Sequence, residues 1–417
     1  MSLSIRRMRR LRVLWVSHFV PYPPKGGAFQ RSYNLIRGAG TVHDLHLLAL
    51  RHKVGTHPEE ETRRAADELG RFCGSVTILD GVKTTDRLGL IGRGLKLAIG
   101  VPLTASVSET SEMHATIRDR IKANCFDLVH FDTIGLSCYR DDIGSVPCVL
   151  SHHGAESLMM VRRTERERNW LRRMIFRLEG TVLRRYEKRQ CPRFSSNFVV
   201  SELDRQLLSG VAGQARFVVV PNGVDTSYFY PMPPISGRRL IFAGRLDQYS
   251  NRDAILHFVR AVWPGISTRF PDATLDIIGS NPPASLMELS RKQPGIRVHG
   301  FVPDVRSFFE QAAVAICPIR DGGGTRVKIL DNMAMAKPIV STSIGIEGIE
   351  VVPERDVLIA DRPEEFVEQI SRLFLDDSLR SRLGSSARRL AEERYSWGRI
   401  VDTMLEEYDR VAAHRCK

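Results

Sequence analysis

The chain has 417 residues, enough for two or three domains of ordinary size. Its 42% hydrophobic and 26% charged content is that of a globular protein and excludes a disordered or collagen-like chain. The 61 basic residues outnumber the 48 acidic ones, a net charge of +13, so the expected partners are anionic: a nucleotide, a nucleic acid or an acidic membrane surface.

Seven cysteines (Cys73, Cys125, Cys138, Cys148, Cys191, Cys317, Cys416) are scattered and form no CxxC pair. That argues against a zinc site or a disulfide framework and fits a reducing cytosol. The start of the chain is basic, and residues 11–16 are apolar. This run is too short for a leader, is interrupted by Arg12, Ser17 and His18, and stops at Pro21, so it reads as a first buried strand. No apolar run approaches the roughly 18 residues of a membrane span.

From there, strand-like runs alternate with helix-like stretches, which predicts parallel sheets built from βαβ units. Residues 21–27 form a tight loop that opens a helix over 28–37. Strands are expected at 44–50, 126–130 and 147–151. Gly26, Gly27, His152 and His153 then fall at C-terminal strand ends, where open α/β sheets bind ligands. On local grounds, simple turn chemistry for the glycines and hydrogen-bonded core positions for the histidines are the slightly favoured readings of the same residues. Residues 159–190 read as one long basic helix with apolar positions at helical spacing, either covering the sheet or lying on an anionic bilayer. Strands follow at 198–201 and 217–220, then an Asn222-Gly223 turn. The proline-rich 228–237 stretch places an interdomain linker there or just before. A second α/β set follows, with strands at 240–243, 274–279, 296–300 and 313–318. A helix over 254–263 should end or kink at Pro264.

The second set delivers the most informative stretch, 321–347. Three glycines, Gly322, Gly323 and Gly324, allow close backbone approach to a ligand. Thr325 is the expected N-cap of a helix carrying Lys328 and Asp331 on one face. A glycine loop opening a helix, beside Arg326 and Lys328, suits a diphosphate. A flexible turn before an ordinary core helix is the competing reading.

The order FAGRL, IIGSNP, IRVHGFVPDV and CPIRDGGGTRVKILDNMAMAKPIVSTSIGIEG resembles the C-terminal half of retaining GT-B glycosyltransferases, nearest to family 4 and to its glycine-rich-loop branch. VLWVSHFVPYPPKGGAFQRSYNLI, SNFVVSELDRQLL and VVVPNGVDTSYFYP occupy the matching upstream places. YSWGRIVDTMLEEYDRV resembles that family's last helix. The resemblance covers nearly the whole chain, most strongly 221–350.

It implies an α/β fold of GT-B architecture: two Rossmann-like domains facing each other across a cleft, with a C-terminal helix crossing back. The implied boundaries are 1–212 for the acceptor-side domain, 213–394 for the donor domain and 395–417 for the returning helix. Gly26 and Gly27 would face the donor diphosphate, with Gly279, Asp321, the Gly322–Gly324 backbone, Thr325 and Arg326. Val302 and Pro303 would lie near the base, and Asp331 would meet the ribose. Arg245 and Lys328 would stabilise the leaving diphosphate. His153, with His152 as the alternative, would lie near the reacting sugar. The chain departs from the family pattern in two places. Gly323 stands where a first glutamate is usual. Ser250 and Asn251 stand where a lysine follows the arginine. Arg326 or Lys328 is expected to replace that charge.

The implied activity is transfer from a UDP- or GDP-sugar to a glycan or lipid-linked acceptor with retention, in bacterial exopolysaccharide or cell-surface glycan synthesis. Neither a cofactor nor a metal is expected. The expected location is the cytoplasm, or the cytoplasmic face of the inner membrane as a peripheral protein held through 159–190. A GT-B nucleotide-sugar epimerase and a non-catalytic basic membrane- or nucleic-acid-binding protein stay open as alternatives. The latter is disfavoured by the lack of RNP-like aromatics or a helix-turn-helix, so no nucleic-acid partner is expected. No GxGxxG follows the first strand, which argues against a redox Rossmann enzyme.

Overall fold

A computed structural model describes residues 9–24, 26–51, 59–81, 92, 94, 96–167, 169–231 and 237–413. The chain divides into two compact units, Met1–Asn222 with Ile400–Lys417, and Gly223–Arg399.

The first unit is built on a seven-stranded sheet: β1 (Arg12–Ser17), β2 (Asp44–Arg51), β3 (Ser75–Asp80), β4 (Leu128–Phe131), β5 (Cys148–Ser151), β6 (Ser196–Val199) and β7 (Phe217–Val219). The spatial order is β3-β2-β1-β4-β5-β6-β7, and each pairing is parallel. Val13 of β1 sits between Leu45 and Leu128. Val13, Leu14, Trp15 and Val16 are all fully buried. Burial on both faces explains why these strands read as continuous apolar runs and not as alternating ones.

Helix α1 (Gly27–Val42) follows β1. Its Gly38 lies so close to the C-terminal helix Trp397–Ala413 that a Cβ would sit 2.4 Å from Val401 Cγ2. That last helix buries Ile400, Met404, Leu405 and Tyr408. The Tyr408 hydroxyl bonds Nδ1 of buried His130, whose Nε2 meets Ser151 Oγ at 2.8 Å and whose ring stacks on Trp15.

Three expectations change here. Strand β3 is missing from the sequence reading because its residues are only partly buried and its pattern is not strongly apolar. The first unit runs to Asn222 and not to 212, because β7 pairs with β6 and completes the first sheet. The chain returns to this unit at Ile400. The basic stretch 159–190 is two helices, α2 (Glu156–Arg166) and α3 (Trp170–Gln190). Asn169 starts the second, its side-chain oxygen accepting from the amides of Leu171 and Arg172.

The second unit holds a six-stranded parallel sheet: β8 (Arg239–Ala243), β9 (Thr274–Ile278), β10 (Ile296–Gly300), β11 (Val314–Cys317), β12 (Ile339–Ser341) and β13 (Leu358–Ile359). Its order is β10-β9-β8-β11-β12-β13. Helix α4 (Tyr249–His257) does not stop before Pro264. It passes through a π-helical turn at Phe258–Val262 into α5 (Trp263–Arg269). Proline lacks the amide hydrogen and crowds the preceding turn, and a widened turn accommodates both. Helix α6 (Val327–Ala334) follows β11. In both sheets the strand order reverses between the first strand and the fourth. That reversal opens a crevice at the carboxyl ends of β1 and β4, and another at those of β8 and β11.

Candidate functional site

The crevice of the second unit is set by glycines. Gly279, just past β9, packs on the loop after β8 so tightly that a Cβ would lie 2.0 Å from the Gly244 carbonyl oxygen. Gly244 faces Lys328, and a Cβ there would lie 2.5 Å from Nζ. The Lys328 ammonium donates to Asn251 Oδ1 at 2.7 Å and stands 4.3 Å from the centre of the Phe242 ring. Asn251 in turn donates to the Arg245 carbonyl at 2.8 Å. The amide of Asn251 thus ties the β8 loop to α6. Burial lowers the Lys328 pKa from its ordinary value to about 8, which Arg326 reinforces. The lysine and Asp331 share a helical face, but Lys328 bonds Asn251 and forms no ion pair with Asp331. Burial pushes Asp331 up to about 7, against the pull of Lys328, and its Oδ1 has no hydrogen-bond partner.

The glycine loop takes its shape from Gly322 (φ 125°) and Gly324 (φ 69°), both in the region that favours glycine. Arg326 folds back over the loop, its Nη1 donating at 2.6 Å to the carbonyls of Gly323 and Gly324. The helix begins at Val327, with Arg326 in the N-cap position and no side-chain cap bond. The expected Thr325 cap is therefore displaced by one residue, because the Arg326 guanidinium organises the turn instead. Asp321 is buried at the start of the loop. Arg245 is exposed and pairs with Asp247 at 2.6 Å. Val302 is partly buried against the apolar cluster that includes Ile319, Ile329 and Met333, and Pro303 is exposed.

The crevice of the first unit collects His18 after β1, Asp132 after β4 and His153 after β5. Asp132 is fully buried, and its Oδ2 accepts from Ser32 Oγ (2.7 Å) and Ser17 Oγ (3.2 Å). Its Oδ1 lies 3.8 Å from His153 Nε2, and neither atom has a hydrogen-bond partner. Burial raises the Asp132 pKa to about 7. Burial, with Arg31 adding to it, lowers His153 to about 3, so His153 is neutral at physiological pH. One ligand atom from each of His18, Asp132 and His153 lies within 4.8 Å of the others, a set that could hold a metal ion. His152 points elsewhere: it is buried, with Nε2 3.3 Å from Asn197 Oδ1 and 3.9 Å from Cys191 Sγ. Gly26 (φ 106°) stands at the N-cap position of α1, and Gly27 is its first residue.

Sequence reasoning missed Asn251 as the lysine's partner and Asp132 as a neighbour of His153. It also missed Arg31, a buried arginine whose Nη1 donates to the Pro221 carbonyl at 2.7 Å. A polar residue at the end of an apolar strand, as Asp132 is, was the available signal for one of them. The other two pairings join distant segments and carry no local signal.

Residues 237–376 match the family described as glycosyl transferases group 1, and residues 25–228 match glycosyltransferase family 4. An uncharacterized glycosyltransferase of Methanocaldococcus jannaschii is 22% identical over 275 residues, which span 64% of this chain and 70% of that protein. A solved glycosyltransferase of Rickettsia africae superposes with a TM-score of 0.67 at 14% identity, covering 97% of this chain and 99% of that one. HepE of Anabaena, solved in complex with UDP, superposes with a TM-score of 0.64 at 14% identity, covering 96% and 100%. Two parallel-sheet α/β domains, each with its crevice at the strand-order reversal, and matches along both halves lead to one assignment: the chain is a glycosyltransferase of the group 1 and family 4 type, with the GT-B fold.

Proposed function

We propose that the chain transfers a sugar from a UDP- or GDP-sugar to a glycan or lipid-linked acceptor, with retention at the anomeric carbon, in the synthesis of a bacterial exopolysaccharide or surface glycan. The observation that carries this reading is Lys328. It is a partly buried cation held by a neutral amide and a ring face, so its charge is not cancelled by a partner. A diphosphate supplies that missing charge, and the negative charge that grows on it as the sugar leaves strengthens the attraction. Arg245, freed from Asp247, would add a second cation. The Gly322–Gly324 backbone and the amides at the start of α6 would supply hydrogen bonds. The unpartnered carboxylate oxygen of Asp331 is suited to accept from ribose hydroxyls. Gly279, Asp321, Thr325, Val302 and Pro303 complete the donor-binding set of the second unit in this reading, and Gly26 and Gly27 are the donor-binding candidates of the first unit.

In the first unit, neutral His153 would contact the transferred sugar, beside the Asp132 carboxyl at 3.8 Å. Retention rests on the resemblance to retaining enzymes, and UDP on the nucleotide held by the Anabaena neighbour. The test is a thermal-shift panel of UDP-, GDP- and ADP-sugars followed by product analysis. A tight donor raises Tm by mass action. One donor class should do so, and labelled sugar should appear on an added acceptor with its anomeric configuration kept. No shift with any donor would sink the reading. Sugar isomerisation without an acceptor would replace it by an epimerase.

A further inference from the structure

The first half of α3 projects from the first unit. Trp170 (71% exposed), Met174 (60%), Leu171 (54%), Leu178 (48%) and Ile175 (43%) are all open to solvent. Their spacing, i, i+1, i+4, i+5 and i+8, gathers them into one stripe on a helix of 3.6 residues per turn. Val161 of α2 adds an exposed side chain to the same helical hairpin. Such a contiguous stripe marks an interaction surface, unlike isolated exposed leucines.

Charge identifies the occupant. Every exposed charged side chain on α3 is Arg or Lys. Its two acidic residues, Glu179 and Glu187, are buried and engaged inside the unit, accepting from the Leu103 amide and from Ser157. The apolar stripe ends at Leu178. Its continuation along the helix carries Arg185, Lys188 and Arg189, roughly 10–17 Å further on at 1.5 Å per residue. A second copy of this chain would bring like charges together along the stripe. A nucleic acid would satisfy the cations but leave the leucine, methionine and isoleucine wet. A bilayer with anionic headgroups satisfies both halves, taking the apolar end at the acyl boundary and the cationic end among the phosphates.

We propose that the exposed face of α3 is a docking surface for an anionic lipid bilayer, with Trp170, Leu171, Met174, Ile175 and Leu178 inserting and Arg185, Lys188 and Arg189 meeting headgroup phosphates. This stands apart from the donor chemistry, since its test involves neither nucleotide nor sugar transfer.

The test is flotation of the full chain with phosphatidylglycerol–phosphatidylcholine vesicles against phosphatidylcholine alone. The chain should float with the mixed vesicles only, and its tryptophan emission should shift to the blue. Of the other three tryptophans, Trp15 and Trp263 are buried and Trp397 is half-buried at the start of the last helix and not on α3, so Trp170→Phe should remove most of that shift. The triple variant Leu171→Ser, Met174→Ser, Ile175→Ser should weaken binding roughly tenfold or more. It changes only exposed side chains and should melt as the parent does. Arg185→Glu with Lys188→Glu and Arg189→Glu should abolish the preference for anionic lipid. Three results would overturn the proposal: no flotation, flotation of the triple variant equal to that of the parent, or a dimer or an oligonucleotide complex that depends on the stripe.

Discussion

Replacing Lys328 with Met removes a partly buried cation of the second unit's crevice that is held by Asn251 and forms no ion pair with Asp331, at little cost in volume. At roughly 4 Å and an effective dielectric of about 20, a unit charge pair contributes about 4 kcal/mol. Partial exposure of the crevice, and the neighbouring Arg245, reduce what a single truncation loses. We expect a loss of about 2–3 kcal/mol, or a roughly 30- to 150-fold rise in Kd for the nucleoside diphosphate. Titration calorimetry with UDP and GDP at pH 7 measures it. The pH dependence supplies an independent check. The folded-state pKa of Lys328, about 8, lies below its ordinary 10.5. The free protein holds the positive charge below about pH 8 and loses it above, so affinity is full at pH 7 and falls as pH rises through 8. Folding has the opposite sign at this residue: between about 8 and 10.5 the unfolded chain binds more protons, and stability rises. Lys328→Met should abolish the fall in affinity between pH 8 and 9. A Kd within threefold of the parent, or an affinity in the parent that stays flat between pH 7 and 9, would refute the assignment of the diphosphate to Lys328.

Two neighbouring glycines should respond differently to the same change. In Gly279→Ala the new Cβ meets a backbone carbonyl, so about 3 kcal/mol or more of stability should be lost in urea unfolding. In Gly244→Ala it meets the mobile end of Lys328, so the midpoint should hold while nucleotide affinity drops. His153→Ala should lower kcat with the nucleotide Kd changed less than about twofold, whereas His152→Ala, which empties a core position, should cost about 2–3 kcal/mol of stability. Glu407 is shielded by burial, which opposes its charge, yet hydrogen bonds from Arg216 and Arg410 prevail and hold its pKa at about 2. Its contribution is present above its ordinary pKa and fades as pH falls toward 2. Glu407→Gln should cost about 1–3 kcal/mol at neutral pH and flatten the acid limb of the stability curve.

The sequence by itself determined the parallel α/β class, the position of most strands and the glycine loop at Gly322–Gly324. These are local properties: strands buried on both faces read as apolar runs, and a backbone with positive φ needs glycine. It also identified the family, because the motifs at 221–350 are contiguous. The partly buried edge strand Ser75–Asp80 left no such trace. A single basic run concealed the break at Asn169, because helical spacing resumes on either side of it. Tertiary structure alone decided that Asn251 holds Lys328 from 77 residues away, that Arg326 turns inward to its own loop, and that His153 meets Asp132 while His152 enters the core. The Arg326 contact stays within its own loop, but the Asn251, Asp132 and Asn197 contacts depend on which segments the strand order brings together. No local propensity encodes that pairing, since it arises only when the whole sheet assembles.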